Sequence, residues 1–408
     1  MAFLADAQDN IKVTIDSCYE WAKNNYPLIK KAALINKANE YNLANIEKGY
    51  LPQISFNGQA TYQSDVTSVK APGFNIQPLD KDQYKTTVEI NEIIYDGGTI
   101  KAQKKIQEVS LALETAGLQK DLYAVKERVN QLFFGALLLH YQLEQNVILN
   151  DDLDETKQRV QASLDNGTAY KADVDQVQSE ILLQKQKKFE IESGIDSYLE
   201  MLSAFTGKEI DSATQLIMPD SKDNPKSIAN NRPELKVFEL QKKLYDTQLG
   251  LLNSKTKPRL SAFSQGGYGK PGLNQLKNQF DWFYIGGLKL SWNLNSFYTI
   301  KNDKRLLINN KKEADVQQET FLFNNNFDLI QQNREQQKIN NILQIDEEII
   351  RLKESIRITA KAKYENGVIT LNDLLKEINA VSQARLNAQL HKIQSISNQY
   401  NRQFTLGN

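Results

Sequence analysis

The chain has 408 residues, and its 50 Lys and Arg are matched by 50 Asp and Glu, so no net field draws it to nucleic acid or an anionic surface. Only 40% of residues are hydrophobic and the mean hydropathy is −0.54, thin for a large globular enzyme. A single cysteine, Cys18, rules out an internal disulfide, and no run approaches the roughly 20 apolar residues of a membrane-spanning helix.

Residues 1–7 end in Ala5-Asp6-Ala7 ahead of Gln8, the small-x-small spacing of a signal-peptidase site. They read either as a signal-peptide remnant or as an ordinary N-terminus. Val13-Thr14-Ile15-Asp16 then opens a helix in which Ile15, Cys18, Tyr19 and Ala22 share a stripe, which makes Cys18 a small buried residue.

From Pro52 the period changes to two. Ile54, Phe56, Gly58, Ala60 and Tyr62 fall on one face, and Ser55, Asn57, Gln59, Thr61 and Gln63 on the other. A second strand sets Tyr84, Thr86, Val88 and Ile90 against Lys85, Thr87, Glu89 and Asn91. Beyond Asp96-Gly97-Gly98, apolar residues at Leu118, Leu122, Val125, Val129, Leu132, Ala136, Leu139 and Leu143 alternate steps of four and three. That 3.5-residue repeat predicts one supercoiled helix over 98–165, ~100 Å long at 1.5 Å per residue. Asn166-Gly167 reverses it into a second helix, 168–206, with its own stripe at Ile191, Ile195, Tyr198, Leu202 and Phe205. The segment 207–231, with Gly207, Pro219 and Pro225, reads as a belt.

The pattern then starts again. Asn25-Tyr26-Pro27 returns as Asn231-Arg232-Pro233, Pro52 as Pro258 and Tyr62 as Tyr268, all 206 positions on; Asn166-Gly167 returns as Asn366-Gly367 and Asp173 as Asp373, now 200 positions on. The repeats therefore run over 8–206 and 232–404, with a tail at 405–408. Strands are expected at 52–66, 84–94, 258–269 and 281–294, and the second pair of long helices at 297–365 and 369–404. In the second copy Leu260, Ala262 and Tyr268 oppose Ser261 and Gln265, while Trp282, Tyr284, Leu288, Leu290 and Trp292 oppose Lys289 and Ser291.

Trp282 and Trp292, ten residues apart on the apolar face, are spaced vertically by ~25 Å in a tilted strand, about the height of a barrel's lipid-facing band. Tyr62, Tyr84, Tyr268 and Trp282 fall at one end of that band as interfacial aromatics. Four strands cannot close a barrel, and open edges do not exist in lipid, so a membrane reading requires several copies to pool their strands. The same alternation also fits a soluble sheet, which leaves a water-soluble coiled-coil scaffold as the alternative.

The order of these pieces over nearly the whole chain resembles the TolC-like outer membrane factor family: Tyr50-Leu51-Pro52, Tyr95-Asp96-Gly97-Gly98, Asn231-Arg232-Pro233-Glu234 and Tyr364-Glu365-Asn366-Gly367. The resemblance implies a mixed α and β membrane protein, internally duplicated. Its long coiled-coil helices would form a helical barrel, and each protomer would give four strands to a trimeric 12-stranded transmembrane β-barrel in the bacterial outer membrane. It also implies an exit duct for efflux or secretion, working with a periplasmic adaptor and an inner-membrane pump and bathed by outer-membrane lipid. Ser55, Asn57, Gln59, Lys85, Glu89 and Lys289 would line its lumen. The tip would close near Asn166, Gly167, Asn366 and Gly367. Asp373 matches a pore-facing acidic position and Asp173 is its counterpart in the first repeat; both equally suit a helix first turn on dipole grounds. Lys376 stands where relatives often carry a second acid, and at a spacing of three it can pair with Asp373. Ile369 stands where some relatives use an Arg latch.

Bond-making chemistry has no candidate. His140 and His391 are far apart in heptad stretches, and with one cysteine they form no zinc set. Gly266-Gly267-Tyr268-Gly269-Lys270-Pro271-Gly272 lacks the Gly-Lys-Ser/Thr end of a phosphate loop and reads as a strand giving way to a surface loop. No catalytic residue, metal or cofactor is expected, and no nucleic-acid partner.

Overall fold

The computed structural model describes residues 12–68, 70–71, 74–75, 78–221 and 230–408. The 1–7 segment and Pro225 lie outside them. In chain order the elements are β1 (Lys12–Val13), α1 (Ile15–Asn25), α2 (Lys31–Glu47), β2 (Gln53–Tyr62), β3 (Lys70–Ala71), β4 (Phe74–Asn75), β5 (Asp82–Tyr95), α3 (Thr99–Tyr123), α4 (Val125–Asp165), α5 (Lys171–Thr206), β6 (Gln215–Leu216), α6 (Pro233–Lys255), β7 (Arg259–Lys270), β8 (Asp281–Ser291), α7 (Ser296–Glu365) and α8 (Leu371–Leu406). Among the described residues no helix is long and apolar enough to cross a membrane.

Two compact units result. One holds the chain up to Lys31, Ala116–Lys236 and Glu319–Asn408; the other holds Ala32–Thr115 and Val237–Gln318. Each draws on both halves of the duplication, so the folding units cut across the sequence repeats.

The second unit contains the sheet. Its order is β2-β5-β7-β8, antiparallel throughout, with Phe56 opposite Val88, Thr86 opposite Tyr268 and Tyr268 opposite Trp282. A bulge between Ile93 and Tyr95 shifts the register near the end of β5. Gly266, Gly267 and Gly269 lie inside β7, so the glycine-rich stretch is strand as far as Lys270 rather than loop. At the turn into α3, the Asp96 carboxylate accepts from Gly98 N at 2.7 Å and Ile100 N at 2.6 Å, satisfying two amides of the first turn. Gly97 makes this geometry possible: its φ is +74°, and a Cβ there would sit 2.9 Å from the Ser254 carbonyl oxygen.

In the first unit, Thr14 caps α1 by accepting from Ser17 N at 3.2 Å, and β1 pairs in parallel with β6. α1 packs on the α4–α5 hairpin around Val129, Leu132, Phe133, Ile195, Leu199 and Leu202. Glycines set the α4–α5 approach reciprocally, since a Cβ on Gly135 would meet the Tyr198 ring at 2.6 Å and one on Gly194 would meet Leu139 Cδ1 at 2.8 Å. A separate core joins Leu153, Val160 and Val177 to Leu371, Leu374, Leu375 and Ile378.

The expected single helix over 98–165 is two helices. The interruption at Ala124 involves neither proline nor glycine. Ala124 keeps right-handed backbone (φ −61°, ψ −19°) and its N–H reaches Lys120 O at 3.3 Å, so the ladder slackens there without turning away. Its counterpart α7 runs unbroken for 70 residues, and α8 continues to Leu406, two residues into the expected tail.

Candidate functional site

The sheet has one apolar face, and it is bare. Register places Ile54, Phe56, Val88, Ile90, Leu260, Leu288 and Leu290 together, bordered at one end by Tyr62, Tyr84, Tyr268 and Trp282. Phe56 is 72% exposed, Trp282 78% and Tyr284 85%. A soluble sheet buries this face against helices; here nothing among the described residues covers it. The aromatic end is tighter than the alternation alone suggests. Phe280, outside the strands, stacks on Tyr84 (centroids 6.3 Å apart) and Tyr268 (5.4 Å), and Tyr268 leans on Trp282 at 4.9 Å. At the other end the Trp292 indole N–H donates to Thr256 O at 2.9 Å, leaving the ring 56% exposed just past β8.

The opposite face holds Ser55, Asn57, Gln59, Lys85, Glu89 and Lys289. Asn91 donates to Glu89 Oε1 at 2.7 Å along this surface. The face is not purely polar, however. Phe263, Phe283 and Ile285 share it, and Phe283 is only 9% exposed. Its ring packs against Gly267, where a Cβ would meet Phe283 Cζ at 2.5 Å, and Lys85 Nζ sits 4.9 Å from the ring centroid. Sequence reading missed these residues because the signal is a cross-strand register, Phe283 opposite Gly267 and Phe263 opposite Gly287, which appears only once the strands are paired.

In the first unit the two helical hairpins end in the same turn. Asn166 and Asn366 donate from Nδ2 to the carbonyls of Ala162 and Ala362 at 2.8 and 2.7 Å. Gly167 and Gly367 follow with φ of +72° and +71°, the left-handed step that closes each helix. Asp173 and Asp373 then sit at the third position of α5 and α8, and each accepts from the backbone N–H of the capping residue, Tyr170 at 2.9 Å and Thr370 at 3.1 Å. Asp373 also accepts from the Thr370 hydroxyl at 2.7 Å. These bonds hold its carboxyl below the usual carboxylate range, with Lys376 acting in the same direction. The expected Asp373–Lys376 pair is therefore subordinate: the carboxylate is committed to the cap. Ile369 packs against the core of this tip.

Ionic contacts tie the hairpins together. Arg357 lies 3.6 Å from Asp152 and 3.2 Å from Glu354, Arg159 lies 3.1 Å from Glu155 and 3.5 Å from Glu365, and Arg385 bonds Glu354. Gln176 donates to Asn372 Oδ1 at 3.2 Å, linking α5 to α8. A groove of about 680 Å³ runs between these residues and the two turns.

Cys18 is wholly buried, and burial pushes its thiol up to about 12, which makes it inert. Among the described residues no group of three His, Cys, Asp or Glu is placed to hold a metal. His391 Nδ1 contacts Asp346 at 2.8 Å between α7 and α8, a packing role.

Residues 18–208 match the family described as "Outer membrane efflux protein". Among solved structures, the outer membrane protein VceC from Vibrio cholerae is 15% identical with a TM-score of 0.71, over 97% of this chain and 96% of that one. The Campylobacter jejuni CmeC outer membrane channel is 14% identical, TM-score 0.69, over 96% and 85%. The open state of the Neisseria gonorrhoeae MtrE outer membrane channel is 12% identical, TM-score 0.71, over 97% and 89%. At these identities the likeness is one of fold. No curated protein matches the chain.

Proposed function

We propose that this chain, a member of the outer membrane efflux protein family, is one protomer of a passive outer-membrane exit duct. In this reading three copies pool twelve strands into a transmembrane barrel, and the helices extend into the periplasm. There they receive small molecules or polypeptides from an adaptor and an energised inner-membrane pump. The protein makes and breaks no bonds; the pump supplies the work.

The single observation that carries the reading is the bare apolar face of a sheet whose edge strands, β2 and β8, are ten and eleven residues long and, among the described residues, unpaired on their outer sides. Water would tolerate neither the face nor the edges. Lipid accepts the face, and neighbouring copies complete the edges, taking four strands past the roughly eight needed to enclose a lumen. A second unpartnered surface supports association: Ile345, Ile349, Leu352 and Ile356 make an exposed stripe on α7 at coiled-coil spacing. The soluble-scaffold alternative leaves both surfaces facing water.

The turns and ionic contacts at the hairpin ends, with Asp173, Asp373, Lys376, Asn166, Gly167, Asn366 and Gly367, are the proposed gate. Ser55, Asn57, Gln59, Lys85, Glu89 and Lys289 are the proposed lumen, and Tyr62, Tyr84, Tyr268, Trp282 and Trp292 the proposed lipid-interface aromatics. Reconstitution in planar bilayers tests the function: unitary conductance steps are expected, and bilayers that stay silent with folded oligomer present would contradict it.

A further inference from the structure

We infer that the duct carries an anion-selective ring at the helix-side mouth of its barrel, formed by Arg259 and Lys289, so that its cargo class is enriched in solutes bearing carboxylate, phosphate or sulfonate groups. The inference rests on the duct reading of the sheet. Leu260 and Leu290 are paired across β7 and β8 on the apolar face. Their neighbours Arg259 and Lys289 therefore fall on the opposite, lumenal face. Arg259 pairs with Ser291 and Lys289 with Ser261, which makes the two cations diagonal neighbours, separated by roughly 7–8 Å at the backbone. They lie where β7 is entered from α6 and β8 leads to α7.

Neither is neutralised. Both are exposed, and neither has an ion-pair partner among the described residues. The acids of the strands sit elsewhere. Glu92 is opposite Ala262 and so faces the apolar side. Glu89 is in the row of Gln265 and Ile285, four residues from Lys289 along the strand, or ~13 Å. Asp281 is at the far end, where Gly269 pairs with both it and Lys85, so opposite charges share that row. Within the four strands the lumenal face thus carries opposite charges at its aromatic end and only cations at its helix end; Asp96, just past β5, is buried with its carboxylate occupied by Gly98 N and Ile100 N.

Three copies place six cations around one opening. Low-dielectric walls focus such a field into the pore, and rings of Arg or Lys are how pores favour anions. Phe263 and Phe283 lie further along the same wall, apolar surface for the apolar part of an amphipathic anion.

The test is the reversal potential of purified trimer in planar bilayers under a KCl gradient, for wild type, R259Q/K289Q and R259E/K289E, with trimer mass checked for each. The chloride-to-potassium permeability ratio should fall about threefold or more in the glutamine variant, the Boltzmann factor of roughly one kT, and fall further in the glutamate variant. Every variant keeps the wild-type helical tip, so a change in the ratio between them is set at the barrel mouth. An unchanged ratio in trimers that still conduct would overturn the inference while leaving the duct intact. Wild-type trimers that give no conductance would instead overturn the duct reading, and this inference with it.

Discussion

Arg232 stacks its guanidinium on the Phe404 ring, 4.6 Å from the centroid, while its Nη1 donates to the Phe404 carbonyl at 3.1 Å. Tyr123 completes the clamp, lying parallel to Phe404 at 4.9 Å and 5.2 Å from the guanidinium, and Glu234 accepts from Arg232 Nε at 2.9 Å. The start of the second repeat is thereby fixed to the end of α8. Lysine keeps the charge but has neither the planar fork nor the flat face. Arg232→Lys is expected to cost about 2 kcal/mol, from lost stacking and fork bonds. A lowered urea-unfolding midpoint of the detergent-solubilised protein checks this; an unchanged midpoint would mean that the stacking contributes nothing.

Asp373 supplies a pH prediction with a definite sign. Its carboxyl is depressed by the hydrogen bonds from Thr370, so the stabilisation is present above the unfolded carboxylate value of roughly 4 and disappears as pH falls through the folded value. The α8 cap should hold across neutral pH. Amide exchange at Thr370 and Asp373 should quicken in Asp373→Asn at pH 7, and the gap from wild type should close in strong acid. A gap that persists there would assign the effect to something other than the carboxylate.

The two faces of the sheet should respond oppositely to the same residue. Leu288→Arg puts a cation on the bare apolar face and should cost ~2–4 kcal/mol per protomer in lipid, sharply reducing assembled protein. Asn57→Arg, on the other face, should assemble normally. Equal yields of the two in outer-membrane fractions would contradict the lipid-facing assignment.

At the hairpin tips, Arg357 and Arg159 reach from one helix to acids on the next. If these contacts hold the proposed gate shut, R357A/R159A should raise single-channel conductance. Conductance equal to wild type would place the gate elsewhere.

Much of this was readable without coordinates. Asn-Gly pairs 200 residues apart do close equivalent hairpins, because positive φ admits few residues, and alternation marked the strands because apolar side chains dominate one face. What stayed hidden depends on distant partners. Phe283 reads as a break in polarity until Gly267 is found beneath it. Arg232 looks like part of a helix start, and its aromatic partners Tyr123 and Phe404 lie far off in sequence. The slackening at Ala124 has no local residue cue. Asp373 was legible as a first-turn acid, but its commitment to Thr370 rather than Lys376 is a matter of side-chain geometry.

The most direct test of the central claim is the mass, by light scattering, of protein extracted in detergent from fractionated membranes. The duct account predicts three 46.6 kDa chains per particle, recovered from the outer membrane. A monomer, or a water-soluble species that needs no detergent, would contradict it.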